Sequence, residues 1–279
     1  MIVLARFAIQ EALKRRVFNV VAVLTVIFLV LYALGVWQAF KITGGFGDIN
    51  VDEDTAVGST MLGLAMFGTL FLGVVLAVFL TLGAIRGDAE TGLLQPLIVR
   101  PIGRRDVLLA RLLAAGGVSA AYVIAVYLGA WALTGIIGGW TPSRFFTPPL
   151  ALAGAVIVIT SLSLAGSVLL SASANGIATF MVFGAGLVSG LLGQIGNALN
   201  SHTLENVADV VAYALPFQAL YEAGLGQLTA GTVGFTRFAL ELGPLGGARP
   251  GTAVLFVWPV AYVAGVTALA VAAFRRADL

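Results

Sequence analysis

The chain has 279 residues, of which 59% are hydrophobic and 10% charged, with a net charge of +2 and no cysteine. A water-soluble domain carries about 25% charged residues, so this composition excludes an ordinary soluble fold. The small net charge gives no case for nucleic acid, and the lack of cysteine excludes a disulfide framework or a thiolate metal site.

Several stretches without a charged residue are longer than the roughly 20 residues that a helix needs to cross a bilayer core of about 30 Å. They are continuously apolar rather than alternating, which fits helices and not barrel strands. The expected fold is an all-α polytopic membrane protein forming one transmembrane domain over 1–279. Residues 1–16 place Arg6, Gln10, Glu11, Lys14 and Arg15 on one helical face and Ile2, Ala5, Ile9, Ala12 and Leu13 on the other. That pattern predicts an interfacial helix. Six spans follow, at 17–40, 56–85, 112–138, 149–171, 177–197 and 252–274. The fourth and fifth are separated by Ala172, Ser173, Ala174, Asn175 and Gly176, which read as a tight turn because Asn and Gly tolerate positive φ. The last outer loop, 198–251, is not polar enough for a flexible linker. Its apolar stretch Ala208 to Leu228 is broken by Pro216 and predicts two short helices dipping partly into the outer leaflet.

Arginine and lysine fix the expected orientation. Eleven of the 15 fall in the N-terminal segment, the 86–111 region and the tail, against four (Lys41, Arg144, Arg237 and Arg249) on the opposite side. Both termini are therefore expected in the cytoplasm, with Asp48, Asp52, Glu53, Asp54, Glu205, Asp209, Glu222 and Glu241 outside.

Chemistry is scarce along this chain. The middles of the spans carry no ionisable residue, which counts against a proton relay. Neither lysine, Lys14 or Lys41, sits in a GxxxxGK[ST] phosphate loop. The lone His202 lacks a second ligand and reads as a surface residue rather than a metal ligand or a catalytic base. No catalytic or metal residues are expected, and no cofactor bound by this chain. In the fourth span Thr160, Ser163, Ser167 and Ser171 share a face, read as back-bonding to the preceding turn rather than a polar path.

The exception is a charged island, Gly83 to Arg111, with five basic and three acidic residues between two apolar runs. Pro96 and Pro101 limit helix there, so it reads as a short helix and a turn, with Leu93, Leu94 and Leu97 as an apolar stripe. A charged loop of this kind can be an ordinary solvated loop or a docking element.

The island resembles the first cytoplasmic loop of type-2 ABC exporter permeases. The matching residues are Asp88, Glu90, Gly92-Leu93, Leu97, Pro101 and Arg104-Arg105, with Leu93 where Thr is common and Asp88 where Glu is common. Leu215-Pro216-Phe217 is similar to that family's Pro-Phe before the last outer helices, and Phe274 to Leu279 to its usual ending. The resemblance covers essentially the whole chain. It implies a permease subunit that forms the translocation path, pairs with a second permease copy, and binds two copies of a separate ATPase subunit carrying ATP and Mg. It also implies a location in a bacterial or archaeal plasma membrane. The coupling contact over 86–106 would then fall to Asp88, Glu90, Gly92, Leu94, Leu97, Arg100, Arg104 and Arg105. A second contact would fall to Ser173, Asn175 and Gly176. In the fifth span Gly186, Gly190, Gly193 and Asn197 form a small-residue face. It suits a path or dimer surface, or packing within one subunit, equally well. Two other functions stay open at this point: a membrane assembly or regulatory subunit that transports nothing, and an ion-coupled carrier.

Overall fold

The computed structural model describes residues 16–43, 53–82, 84, 103–142, 144–228 and 254–276. All the regular structure among them is helical: α1 (Arg16–Thr43), α2 (Glu53–Thr81), α3 (Arg104–Gly138), α4 (Thr147–Leu169), α5 (Ala172–Leu199), α6 (His202–Ala214), α7 (Pro216–Leu228) and α8 (Val254–Arg276). Six of them, α1 to α5 and α8, are long and apolar enough to cross a membrane. The expected N-terminal interfacial helix lies outside the described residues.

Local sequence explains the ends. Gly103, extended at φ −64° and ψ 136°, precedes α3, and Asp106 sits in its first turn, where a negative charge complements the helix dipole. Gly139 closes α3 in the left-handed region at φ 66°, its N–H bonding Gly135 O, a conformation that glycine adopts without penalty. Pro148 and Pro149 open α4, where a missing N–H costs nothing. Leu215 N–H bonds Val211 O at 2.7 Å to close α6, and Pro216 starts α7.

The helix bounds differ from the sequence reading in an instructive way. The third span begins at Arg104 rather than 112, because a helix need not stop where the lipid stops and its charged first turns continue past the apolar run. The second ends at Thr81 rather than 85, where Ala84 N–H turns back to Thr81 O at 3.1 Å. The fifth begins at Ala172 rather than 177, so the expected turn at 172–176 is helix.

At the centre stands α4, in contact with α2, α3, α5, α7 and α8. The main core is built from Leu62, Met66 and Leu70 of α2, Val123 and Tyr127 of α3, Leu152, Val156 and Ile159 of α4, Phe183 of α5, and Phe217 and Tyr221 of α7. Because lipid is as apolar as leucine, close packing and interhelical hydrogen bonds hold such bundles together. The peripheral α1 is tied to α3 by two such bonds, Thr25 to Tyr122 and Tyr32 to Thr134 at 2.6 Å.

Candidate functional site

Two ends of the bundle carry the features that matter. At the first, α2 stops and α3 starts, and the chain between 85 and 102 joins them. Asp88, Glu90, Gly92, Leu94, Leu97 and Arg100 lie outside the described residues. What anchors that segment is described. The Arg111 guanidinium of α3 donates to Ala84 O, just beyond the end of α2. Beneath it Ala84, Leu108, Leu164, Val168, Ala270 and Phe274 form a second core. This core joins the end of α2 to α3, α4 and α8. Arg104 is the first residue of α3, and Arg105 is exposed beside α8.

The second contact expected at this end changes character. The chain breaks at Leu170 (φ −107°, ψ 153°) and Ser171 (φ −62°, ψ 158°), and residues 172–176 form the first turn of α5. Ser173 is exposed, but Asn175 and Gly176 are buried. Asn175 Nδ2 donates to Ser163 O at 2.9 Å, and the Thr81 and Ser163 hydroxyls are bonded at 2.7 Å. One polar network thus links α2, α4 and α5. Asn175 lies over Gly166, where any Cβ would collide with its Oδ1. Its role is internal because its amide finds a neighbouring helix rather than its own backbone. Thr160 and Ser167 bond back to Val156 O and Leu164 O, each at 2.7 Å, as expected from the sequence, whereas Ser163 has been recruited to the network.

At the opposite end, α7 is inserted among the spans. Pro216 to Leu225 are all buried. Small residues make the room: Gly154 faces Leu220, Gly63 faces Leu225, and Gly224 faces Met66 and Ala151. Gly186 faces the Phe217 ring and Gly190 faces Gln218 and Glu222. The small-residue face of α5 is therefore occupied by this chain's own α7. Gly193 is buried and Asn197 exposed, while Gly196, not singled out from sequence, lies against Glu205 of α6. The rings of Phe183 and Phe217 are 5.7 Å apart.

Glu222, one of the carboxylates expected on the outer side, lies on α7 inside the bundle. It is 2% exposed, and Gln218 Nε2 donates to its Oε1 at 3.1 Å. The signal was present as an i, i+4 pair inside an apolar helical stretch. Gln218 Oε1 and the Tyr221 hydroxyl have no hydrogen-bond partner among the described residues. Burial first, and the adjacent Glu222 second, push the Tyr221 pKa above that of an ordinary phenol, which keeps it a protonated donor. His202 is 92% exposed and 3.4 Å from Glu205. No group of His, Cys, Asp or Glu among the described residues could hold a metal.

No curated protein sequence matches the chain. Residues 4–279 match the family described as ABC-2 family transporter protein. The chain belongs to that family: it is the membrane permease component of an ABC-type transporter and not the ATP-hydrolysing part.

Proposed function

We propose that this permease exports its substrate by converting ATP hydrolysis on two separate nucleotide-binding subunits into movement of its spans. In this reading both termini and the 86–106 segment face the cytoplasm. Asp88, Glu90, Gly92, Leu94, Leu97, Arg100, Arg104 and Arg105 form the coupling contact, with Ser173 as an exposed neighbour at the same end. ATP and Mg bind the partner and not this chain. The observation that supports the reading best is the anchorage of the segment. Its two ends are joined by Arg111 and Ala84 above a core shared by four spans. A push on the segment therefore moves α2 and α3 together instead of deforming a loop.

A second permease copy completes the path. The supporting feature is not the glycine face but the neighbouring stripe of α5. Ile177, Met181, Val188, Leu191 and Ile195 are all exposed and, with Gly184, follow alternating steps of four and three. That is the spacing of a helix–helix seam. A Cβ at Gly184 would meet nothing within 4 Å, which leaves room for a partner helix. The test is purification of the tagged subunit from its native membrane with assays of ATP hydrolysis and transport. Co-purification of an ATP-binding subunit, with transport lost and insertion retained in Glu90→Lys, is the expected result. Normal transport by Glu90→Lys would sink the coupling assignment.

A further inference from the structure

A cleft of about 590 Å³ opens between α3 and α8 at the end where α3 begins and α8 stops. It exists because α8 packs mainly on α4 and only lightly on α3. Its walls are hydrocarbon: Leu109 and Leu112 from α3, and Val263, Ala264, Ala268 and Val271 from α8. Thr267 also lines it, but its hydroxyl is spent on Val263 O at 2.6 Å, so it offers no donor to a ligand. Charge enters at one end alone. Arg105 stands in the first turn of α3 and Arg275 in the last turn of α8, and both line the cleft and are exposed. Asp106, the next residue, does not line it.

Dimensions and charge together select an occupant. From Arg275 to Val260, both on the lining, α8 rises roughly 22 Å at 1.5 Å per residue. Half of a bilayer core is about 15 Å deep. The groove therefore holds hydrocarbon through one leaflet, with two guanidinium groups at headgroup level. Arginine is the residue that recognises phosphate by paired N–H donors, and basic pockets between spans select anionic headgroups. A soluble anion would not use the apolar wall, and a neutral lipid would not use the paired arginines.

We infer that the α3–α8 cleft is a binding site for an anionic phospholipid of the leaflet next to the chain termini. Its acyl chain lies along Ala264 and Ala268, and its phosphate is held by Arg105 and Arg275. Arg105 also belongs to the coupling contact proposed above, so the lipid is tested on the isolated subunit, where no ATPase competes for that side chain.

The test is native mass spectrometry of the subunit extracted from nanodiscs of equal phosphatidylglycerol and phosphatidylcholine, read as retained lipid per subunit. The wild-type chain should keep phosphatidylglycerol preferentially. Arg105→Gln and Arg275→Gln should each lower its retention about fivefold, in line with the affinity of one arginine for an anionic surface. Ala268→Phe, which keeps both arginines and fills the groove, should lower it as well. Arg276→Gln, an exposed cation off the lining, should not. Variants are compared only after each runs as a single species on size exclusion. Equal retention of both lipids would overturn the site, as would loss by Arg276→Gln equal to that by Arg275→Gln. If Ala268→Phe leaves retention intact but dissociates the oligomer, the groove belongs to a second copy of the chain and the inference fails.

Discussion

The two ends of this bundle solve opposite problems. At one end α7 is packed between α4 and α5, with glycines cut away around it and Phe217, Tyr221 and Glu222 enclosed. At the other, the core of Ala84, Leu108, Leu164, Val168, Ala270 and Phe274 is overlaid by discrete polar links, among them the Arg111 guanidinium on Ala84 O, the Thr81–Ser163 hydroxyl pair and Asn175. Close packing of the first kind resists deformation, because interiors are near crystal density and bistable rather than compliant. Discrete links of the second kind hold helix ends together while letting them move as a unit. A permease driven from one side needs both, a stiff cap and a coupled base.

The difference can be broken at either end. The largest expected effect is at the cap. Phe217→Ala removes a fully buried ring and should cost about 3–5 kcal/mol, read as a fall in thermal midpoint of the purified subunit. Next, Gly186→Leu drives a side chain into Phe217 and should cost about 1–3 kcal/mol by overpacking. Gly184→Leu, two residues away on the open stripe, should leave the subunit's midpoint unchanged and instead weaken pairing, seen as a shift to monomer in light scattering. At the base, Arg111→Gln removes a charge-assisted bond worth about 1.5–3 kcal/mol, and beyond that cost it should lower the transport per ATP hydrolysed several-fold. Stability and function therefore separate there as they do not at the cap. Asn175→Ala loses an interhelical bond and should cost about 0.6–2 kcal/mol, also measured by thermal midpoint. Smallest of all, His202→Ala should move neither readout beyond about 0.5 kcal/mol, as expected of an exposed position.

Much of this was legible in sequence. The six spans follow from charge-free length, and the α6–α7 pair follows from Pro216 inside an apolar stretch. The family follows from the island together with Pro216-Phe217 and the tail. What was not legible depended on neighbours. Asn175 and Gly176 carry turn chemistry, and only the position of Ser163 on another helix makes Asn175 a buried cross-link. Gly186 and Gly190 mark close approach, but sequence does not say to whom, and the answer is Phe217 and Gln218 of the same chain. The outer segment that carries Glu222 reads as a partly inserted helix, but how deeply Glu222 is enclosed does not show in sequence. Burial came from the insertion of α7, which local polarity does not encode. The paired arginines of the α3–α8 cleft are 170 residues apart and become one feature only in the fold.

In the proposed mechanism a separate ATPase grips this permease at the 86–106 segment. The absence of native cysteine permits a direct measurement. Leu94→Cys and, as a control on the open stripe of α5, Val188→Cys are each treated with a bifunctional thiol–amine cross-linker in native membranes. Leu94→Cys should cross-link to an ATP-binding subunit, with a yield that changes on adding ATP, and Val188→Cys should give no such product. A Leu94→Cys that labels readily yet captures no ATP-binding protein, with ATP or without, would contradict that mechanism.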